Sequence, residues 1–306
     1  MVAATGINTS STLDPIIPTV ISRARDLVEK PTVMTNSNVV TVVTIKDGDG
    51  DTFNWPKFGT PLHAQDLEEG VPINNPQKLI PTIQQFTTSE TGVQVILTDK
   101  AKRVTKEPMA ARAGRFMGNA MRRHKEITGL SLFAGLSRDL GSAGTVFKSG
   151  YLSAARVRLE AASEAGQTEP LEGEPVAILH PFHLHPVLTE SATLGSNLIP
   201  HDGTGRIPIE GWTAELIREY NITRLYGVDV ATAPLIEIDG SDDAIGAVFG
   251  KQAFIHVKTS HSMRTERDRD IELRADMLVT TAEYGFGELE DQLGFKITAD
   301  ATVPTS

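Results

Sequence analysis

The 306-residue sequence predicts an α+β fold, with strands and helices mixed but without the regular βαβ rhythm of a doubly wound sheet. Three observations predict it. The β-branched run Val39, Val40, Val42, Val43 and Ile45 reads as a strand. The segment from about Pro108 to Leu136 has helical spacing and a proline in its first turn. Between them lies a polar excursion, residues 56–77, punctuated by Pro56, Gly59, Pro61, Gly70, Pro72 and Pro76. Strand-like runs flank it, Thr52 to Trp55 before and Leu79 to Phe86 after. A two-stranded arm of that kind has little core of its own and is marginal in isolation. A long loop inside a compact domain tends to be functional. The economical reading is an arm that packs on another subunit, which points to an assembly protein rather than an enzyme.

The elements follow in order. Residues 1–13 are small and polar and read as an arm. Asp14 and Pro15 supply an N-cap and first-turn proline for a helix to Glu29, with Ile16, Ile17, Val20, Ile21, Ala24, Leu27 and Val28 as its stripe. Asp47-Gly48-Asp49-Gly50 is a turn. Phe53 and Trp55 alternate with polar neighbours, as in a half-exposed strand. Leu79–Thr88 and Val93–Thr98 read as two strands split by a turn at Ser89–Gly92. The long helix has the stripe Ala113, Phe116, Met117, Ala120, Met121, Ile127 and Leu130, and Gly114 and Gly118 leave one face open to close approach. The segment Gly141–Gly150 reads as a linker.

A second region then begins. Ala154–Gly166 reads as a charged amphipathic helix and Pro175–Leu179 as a short buried strand. Pro186–Ala192 reads as a short helix, Ile199–Gly211 as a polar loop and Thr213–Tyr220 as another helix. Val228–Ala233 is a strand, and Ala244–Val257 carries one or two more. The tail alternates through Leu273, Ala275, Met277 and Val279 before the glycine-rich Tyr284-Gly285-Phe286-Gly287.

Composition narrows the function classes. There are no cysteines, so disulfides, thiolate metal sites and cysteine nucleophiles are excluded. The longest apolar runs fall far short of a bilayer, and no membrane association is expected. The start lacks a basic region followed by an apolar core, so no secretory signal is expected. The net charge of −10 argues against a dedicated nucleic-acid binder. The charge is uneven, however. Lys100, Lys102, Arg103, Lys106, Arg112, Arg115, Arg122, Arg123 and Lys125 face only Asp99, Glu107 and Glu126 in the same stretch, a local +6 from nine bases and three acids. This is either a solvated helix face or a basic side of an otherwise acidic molecule.

Few motifs carry chemistry. Asp47, Asp49 and Asp51 start like a calcium loop, but Thr52 and Phe58 stand where that loop needs glycine and glutamate. His180, His183 and His185 have spacing that a metal-dependent hydrolase would use, yet the segment contains two prolines, Pro181 and Pro186, and no carboxylate completes the set. No Walker loop and no dinucleotide fingerprint occurs. The run Arg264-Thr265-Glu266-Arg267-Asp268-Arg269-Asp270 alternates in sign, and Arg264, Arg267 and Arg269 are candidates for forked pairing across a subunit boundary. No cofactor is expected.

In order and spacing these segments resemble the major capsid proteins of tailed bacteriophages, a coat fold shared with herpesvirus capsids and encapsulins. The likeness rests on four stretches. Glu68-Glu69-Gly70-Val71-Pro72-Ile73 is similar to the end of the family's E-loop. Thr98-Asp99 and the long helix resemble the start of its spine helix. Val176 to Pro181 is similar to a strand and helix entry in its axial domain. Leu225 to Val230 and Ala247 to Ala253 resemble segments near that domain's end. The tail from Glu272 to Thr298 resembles strands returning to the peripheral domain.

The resemblance implies an N-terminal arm with helix (1–37) and strands with an extended arm (38–98). A peripheral domain with the spine helix (99–150), an axial domain (151–258) and peripheral return strands (259–306) follow. It implies self-assembly into hexamers and pentamers of an icosahedral shell around double-stranded DNA, in a virion assembled in bacterial cytoplasm. The implied partners are a portal, a decoration protein and a scaffolding protein. Roughly 35 residues precede the first strand, so the scaffold is expected to be a separate chain unless this is a mature form. Phe53, Trp55, Glu68, Glu69, Arg264, Arg267 and Arg269 are the expected intersubunit contacts. Arg112, Arg115, Arg122 and Arg123 are the expected DNA-facing residues. An encapsulin-like compartment is the alternative within the fold.

Overall fold

Alternating apolar residues build two six-stranded sheets and a separate two-stranded arm. The computed structural model describes residues 7–8, 32–58, 64, 66, 69, 78, 81–104, 109–161, 171, 173–187, 224–260 and 263–304. The strands are β1 (Ile7–Asn8), β2 (Thr41–Ile45), β3 (Thr52–Phe58), β4 (Pro81–Thr87), β5 (Ser89–Thr98), β6 (Asp139–Val146) and β7 (Val176–Leu179). They continue as β8 (Arg224–Leu225), β9 (Val228–Thr232), β10 (Asp243–Phe249), β11 (Phe254–Thr259), β12 (Arg264–Asp270), β13 (Ala275–Glu288) and β14 (Gly294–Asp300). Among the described residues the helices include α1 (Asp99–Val104), α2 (Met109–Leu130) and α3 (Gly150–Glu160), with a further helical turn at 181–187.

The first sheet runs β1-β5-β13-β11-β2, with β12 on the edge of β13. Its spine is β13, which pairs with β5 from Ala275↔Thr98 to Tyr284↔Ser89 and then with β11. Helix α2 lies on one face of this sheet. Ala113 and Met117 pack on Leu97 and Leu278, and Met121 on Ala282 and Tyr284. The far end of α2 is pinned by Glu126, a buried carboxylate. The Val33 N–H donates to its Oε1 at 2.8 Å and the Met34 N–H to its Oε2 at 3.1 Å. Burial raises its pKa, and those two N–H groups oppose the shift.

The second sheet runs β6-β14-β10-β7-β9-β8. Leu152, Ala155 and Leu159 of α3 pack on Leu179, Val228, Val248, Phe295 and Ile297. A cluster of Phe133, Phe249, Phe254, Met34 and Leu136 fills the space between the sheets. Phe133 lies on the 3-10 turn Ser131–Gly135, which closes the long helix earlier than the Leu136 expected from sequence.

Several expectations need correction. The turn expected at Ser89–Gly92 is strand, because β13 offers partners along its full length and β5 extends to meet them. The linker expected over Gly141–Gly150 is largely β6, which satisfies the open edge of β14 in parallel register and carries a bulge near Val146. On α2, Phe116, Ala120 and Ile127 face outward, because the sheet takes only the row Ala113, Met117, Met121. On β13 the fully covered side chains under the helix are Leu278, Thr280, Ala282 and Tyr284, while Met277 and Val279 stay half-buried. The stretch 259–306 is divided. Strands β12 and β13 join the first sheet, but Phe295, Ile297 and Ala299 of β14 are buried in the second. The helix expected over Asp14–Glu29, the loop Ile199–Gly211 and the helix Thr213–Tyr220 lie outside the described residues.

Candidate intersubunit surface

The arm is formed by β3 and β4, antiparallel from Thr52↔Thr87 to Phe58↔Pro81. Neither strand pairs with another sheet, so the root is held by side chains. Phe86 is buried among Ile45, Ile255, Val257 and Leu289, with Phe53 and Trp55 half-buried beside it. Gln84 Nε2 donates to the Glu288 carbonyl at 2.6 Å. Lys57 Nζ lies 2.5 Å from Glu290 Oε2. Along β4 the alternation turns Gln84 and Phe86 inward and leaves Ile83 68% exposed. Phe53 and Trp55, expected at a subunit boundary, thus give much of their surface to their own chain. Glu69 is described, whereas Glu68 and most of the 56–77 tip lie outside the described residues.

The charged run forms edge strand β12, paired to β13 from Arg264↔Thr281 to Asp270↔Ala275. Two of its arginines are engaged within the chain. Asp276 is buried beneath the strand, where Arg267 bonds it and Lys102 lies 2.6 Å away. Arg269 forks onto Asp99 at 2.9 and 2.6 Å and also reaches Asp276 at 3.3 Å. The guanidinium of Arg269 holds the Asp99 pKa down to about 2, and hydrogen bonding from Lys102 lowers that of Asp276. Arg264 pairs with its neighbour Glu266, at 2.6 Å, and both are exposed. Sequence reasoning missed Asp276. An aspartate in an alternating strand, two residues from Arg274, was the available signal.

On α2, Arg115, Arg122 and Arg123 are exposed and Arg112 is half-buried. With Phe116 at 56% and Ile127 at 46% exposure, they make a basic face with apolar patches.

The His180 and His183 rings lie 6.3 Å apart, edge to face, while His185 is half-buried. His180 Nδ1 accepts the Phe182 N–H at 3.2 Å. His183 is fully buried, bonds the Ala299 carbonyl through Nε2 at 3.2 Å, and stacks on Phe147. Desolvation pushes its pKa down to about 4. Among the described residues no group of three or more histidines or carboxylates could hold a metal ion. Strand β7 and the helical turn at 181–187 hold His180 and His183 as core side chains.

No family model and no curated protein matches the sequence. Solved structures do match. A chain of the cyanophage P-SCSP1u capsid superposes with a TM-score of 0.65 at 14% identity, covering 99% of this chain and 97% of that one. A chain of the head of Helicobacter pylori bacteriophage KHP40 gives 0.69 at 9% identity, covering 90% and 94%. The capsid of a native GTA particle gives 0.60 at 12%, covering 92% and 99%. At such identities the likeness is one of architecture, and it spans nearly the whole chain: the chain is built on the tailed-phage capsid-protein fold.

Proposed function

We propose that this chain is the shell subunit of a phage or GTA-like particle, assembling as hexamers and pentamers into an icosahedral capsid around double-stranded DNA. The observation that carries the reading is fold likeness to capsid chains over nearly the full length of both partners. The arm supports it. A two-stranded ribbon rooted by Phe86 and Lys57, with Ile83 left in solvent, is suited to cover a neighbour. In this reading β3–β4 is the E-loop, α2 the spine helix of the peripheral domain, and the sheet containing β7 and β10 the axial domain. Arg264 remains the β12 arginine best placed to reach another subunit. Heterologous contacts repeated around an axis close into rings. Partners are further copies, a scaffolding protein, a portal and a decoration protein, and the role is structural rather than catalytic.

The test is electron microscopy of the purified protein after size exclusion, with and without a co-expressed candidate scaffold. Closed shells or rings of five and six are expected. A monomer or dimer at high concentration with the scaffold present would overturn the reading. Shells enclosing a tagged enzyme instead of DNA would favour the encapsulin-like alternative.

A further inference from the structure

Basic side chains from two elements gather around the ring of one buried tyrosine. Tyr284 of β13 is 2% exposed. Met121 of α2 packs on it, so Lys125, one helical turn further on, faces the same way. The Lys125 Nζ lies 4.8 Å from the centre of the Tyr284 ring. The neighbouring His124 bonds the Tyr284 hydroxyl through Nδ1 at 2.6 Å. On β11, alternation puts His256 and Lys258 on one face. Lys258 stands directly across from Tyr284, and His256 across from Phe286, so both share the Tyr284 face of the sheet. The His256 ring lies 6.4 Å from that of Tyr284, and Phe286 stacks on it at 4.4 Å.

The group is electrically unbalanced. Lys125 and Lys258 are half-buried, and the charge of Lys258 adds to burial in lowering the Lys125 pKa. Among the described residues no carboxylate pairs with Lys258, although the chain has 39 acids to 29 bases. His256, 4% exposed, has neither ring nitrogen hydrogen-bonded among the described residues. A buried imidazole without partners costs free energy, and so do ammonium groups brought together away from water. An anion rich in acceptors relieves both, taking N–H groups from the lysines and from the imidazole. A tetrahedral oxyanion suits donors that arrive from a helix and from a strand, because its oxygens point several ways.

We propose that Lys125, His256 and Lys258 form a phosphate-binding site against the Tyr284 ring, between α2 and β11. The phosphate is the free ion or one from a nucleic-acid backbone, which present the same oxygens. His124 holds the tyrosine in place. The site belongs to one chain and stands whether or not the protein forms shells.

The test is titration of the unassembled full-length chain with inorganic phosphate at neutral pH, with ionic strength held constant by chloride. The readout is the His256 ring signal in NMR, assigned by its loss in His256→Leu. A saturable shift is expected, with the His256 pKa raised by the bound anion. Lys258→Met is expected to weaken phosphate about tenfold. Without phosphate the same variant is expected to melt above the native chain, because one of two like charges is gone. Arg115→Gln, exposed on the same helix, is expected to change the affinity by less than about twofold. A short DNA duplex that displaces the phosphate assigns the site to a backbone phosphate, and one that does not assigns it to the free ion. No saturable shift at millimolar phosphate, or an unchanged affinity in Lys258→Met, would overturn the proposal.

Discussion

His256 is only 4% exposed, and neither of its ring nitrogens has a hydrogen-bond partner among the described residues. It stacks on Phe286, with ring centroids 4.4 Å apart. Burial, aided by the charges of Lys125 and Lys258, pushes its pKa down from 6.5 to about 4. The unfolded chain therefore takes up a proton near the ordinary histidine value, while the folded chain refuses it until about 4. In that interval the unfolded state binds more protons, so stability is full above it and is lost as pH falls through it. In His256→Leu the urea midpoint is expected to decline less over this range than in the native protein. Parallel pH profiles would show that His256 is protonated without cost. His183 adds a loss of the same sign.

At the scale of elements, the arm and the sheet meet where side chains are missing. A Cβ on Gly285 would lie 2.5 Å from the Thr87 carbonyl oxygen, and one on Gly287 would lie 2.4 Å from the Phe86 ring. The glycines of β13 thus let the ribbon lie directly on the strand. The Gly285 contact is backbone, so no rotamer change relieves it. Gly285→Ala is expected to cost about 1–3 kcal/mol in urea denaturation and to reduce shell yield, because the arm leaves the body at a changed angle. Gly118→Ala is the contrast. Nothing lies within 4 Å of its Cβ position among the described residues, so the helix is expected to gain up to about 1 kcal/mol. The glycine pattern Tyr284-Gly285-Phe286-Gly287 was visible in the sequence, but its partner Phe86 is distant along the chain, and only pairing brings the two together.

At the scale of the whole molecule, a chain of net charge −10 carries exposed Arg115, Arg122 and Arg123 on one helix. In a shell with α2 turned inward, that distribution would favour DNA inside over outside. Such contacts would be to phosphates, without sequence preference and weakened by salt. Replacing Arg112, Arg115, Arg122 and Arg123 by glutamine is expected to lower packaged DNA content. Each phosphate contact removed should reduce the salt slope of DNA binding by about 0.9. Unchanged DNA content and slope in well-formed particles would remove these residues from that role.

The sequence by itself determined the local grammar: the arm strands on either side of the excursion, the long basic helix, the buried strand at Val176–Leu179 and the charged edge at Arg264–Asp270. These are legible because proline, glycine, β-branching and helical spacing act within a few residues. The tertiary structure alone decided what each pattern faces. It turned Phe116 and Ile127 outward, made a strand of the expected linker, sent β14 to the second sheet, and set Asp276 among Lys102, Arg267 and Arg269. It also brought Lys57 of the arm to Glu290. Such pairings depend on residues far apart in the chain. A side chain's burial, its proton and its partner are properties of that meeting rather than of the residue.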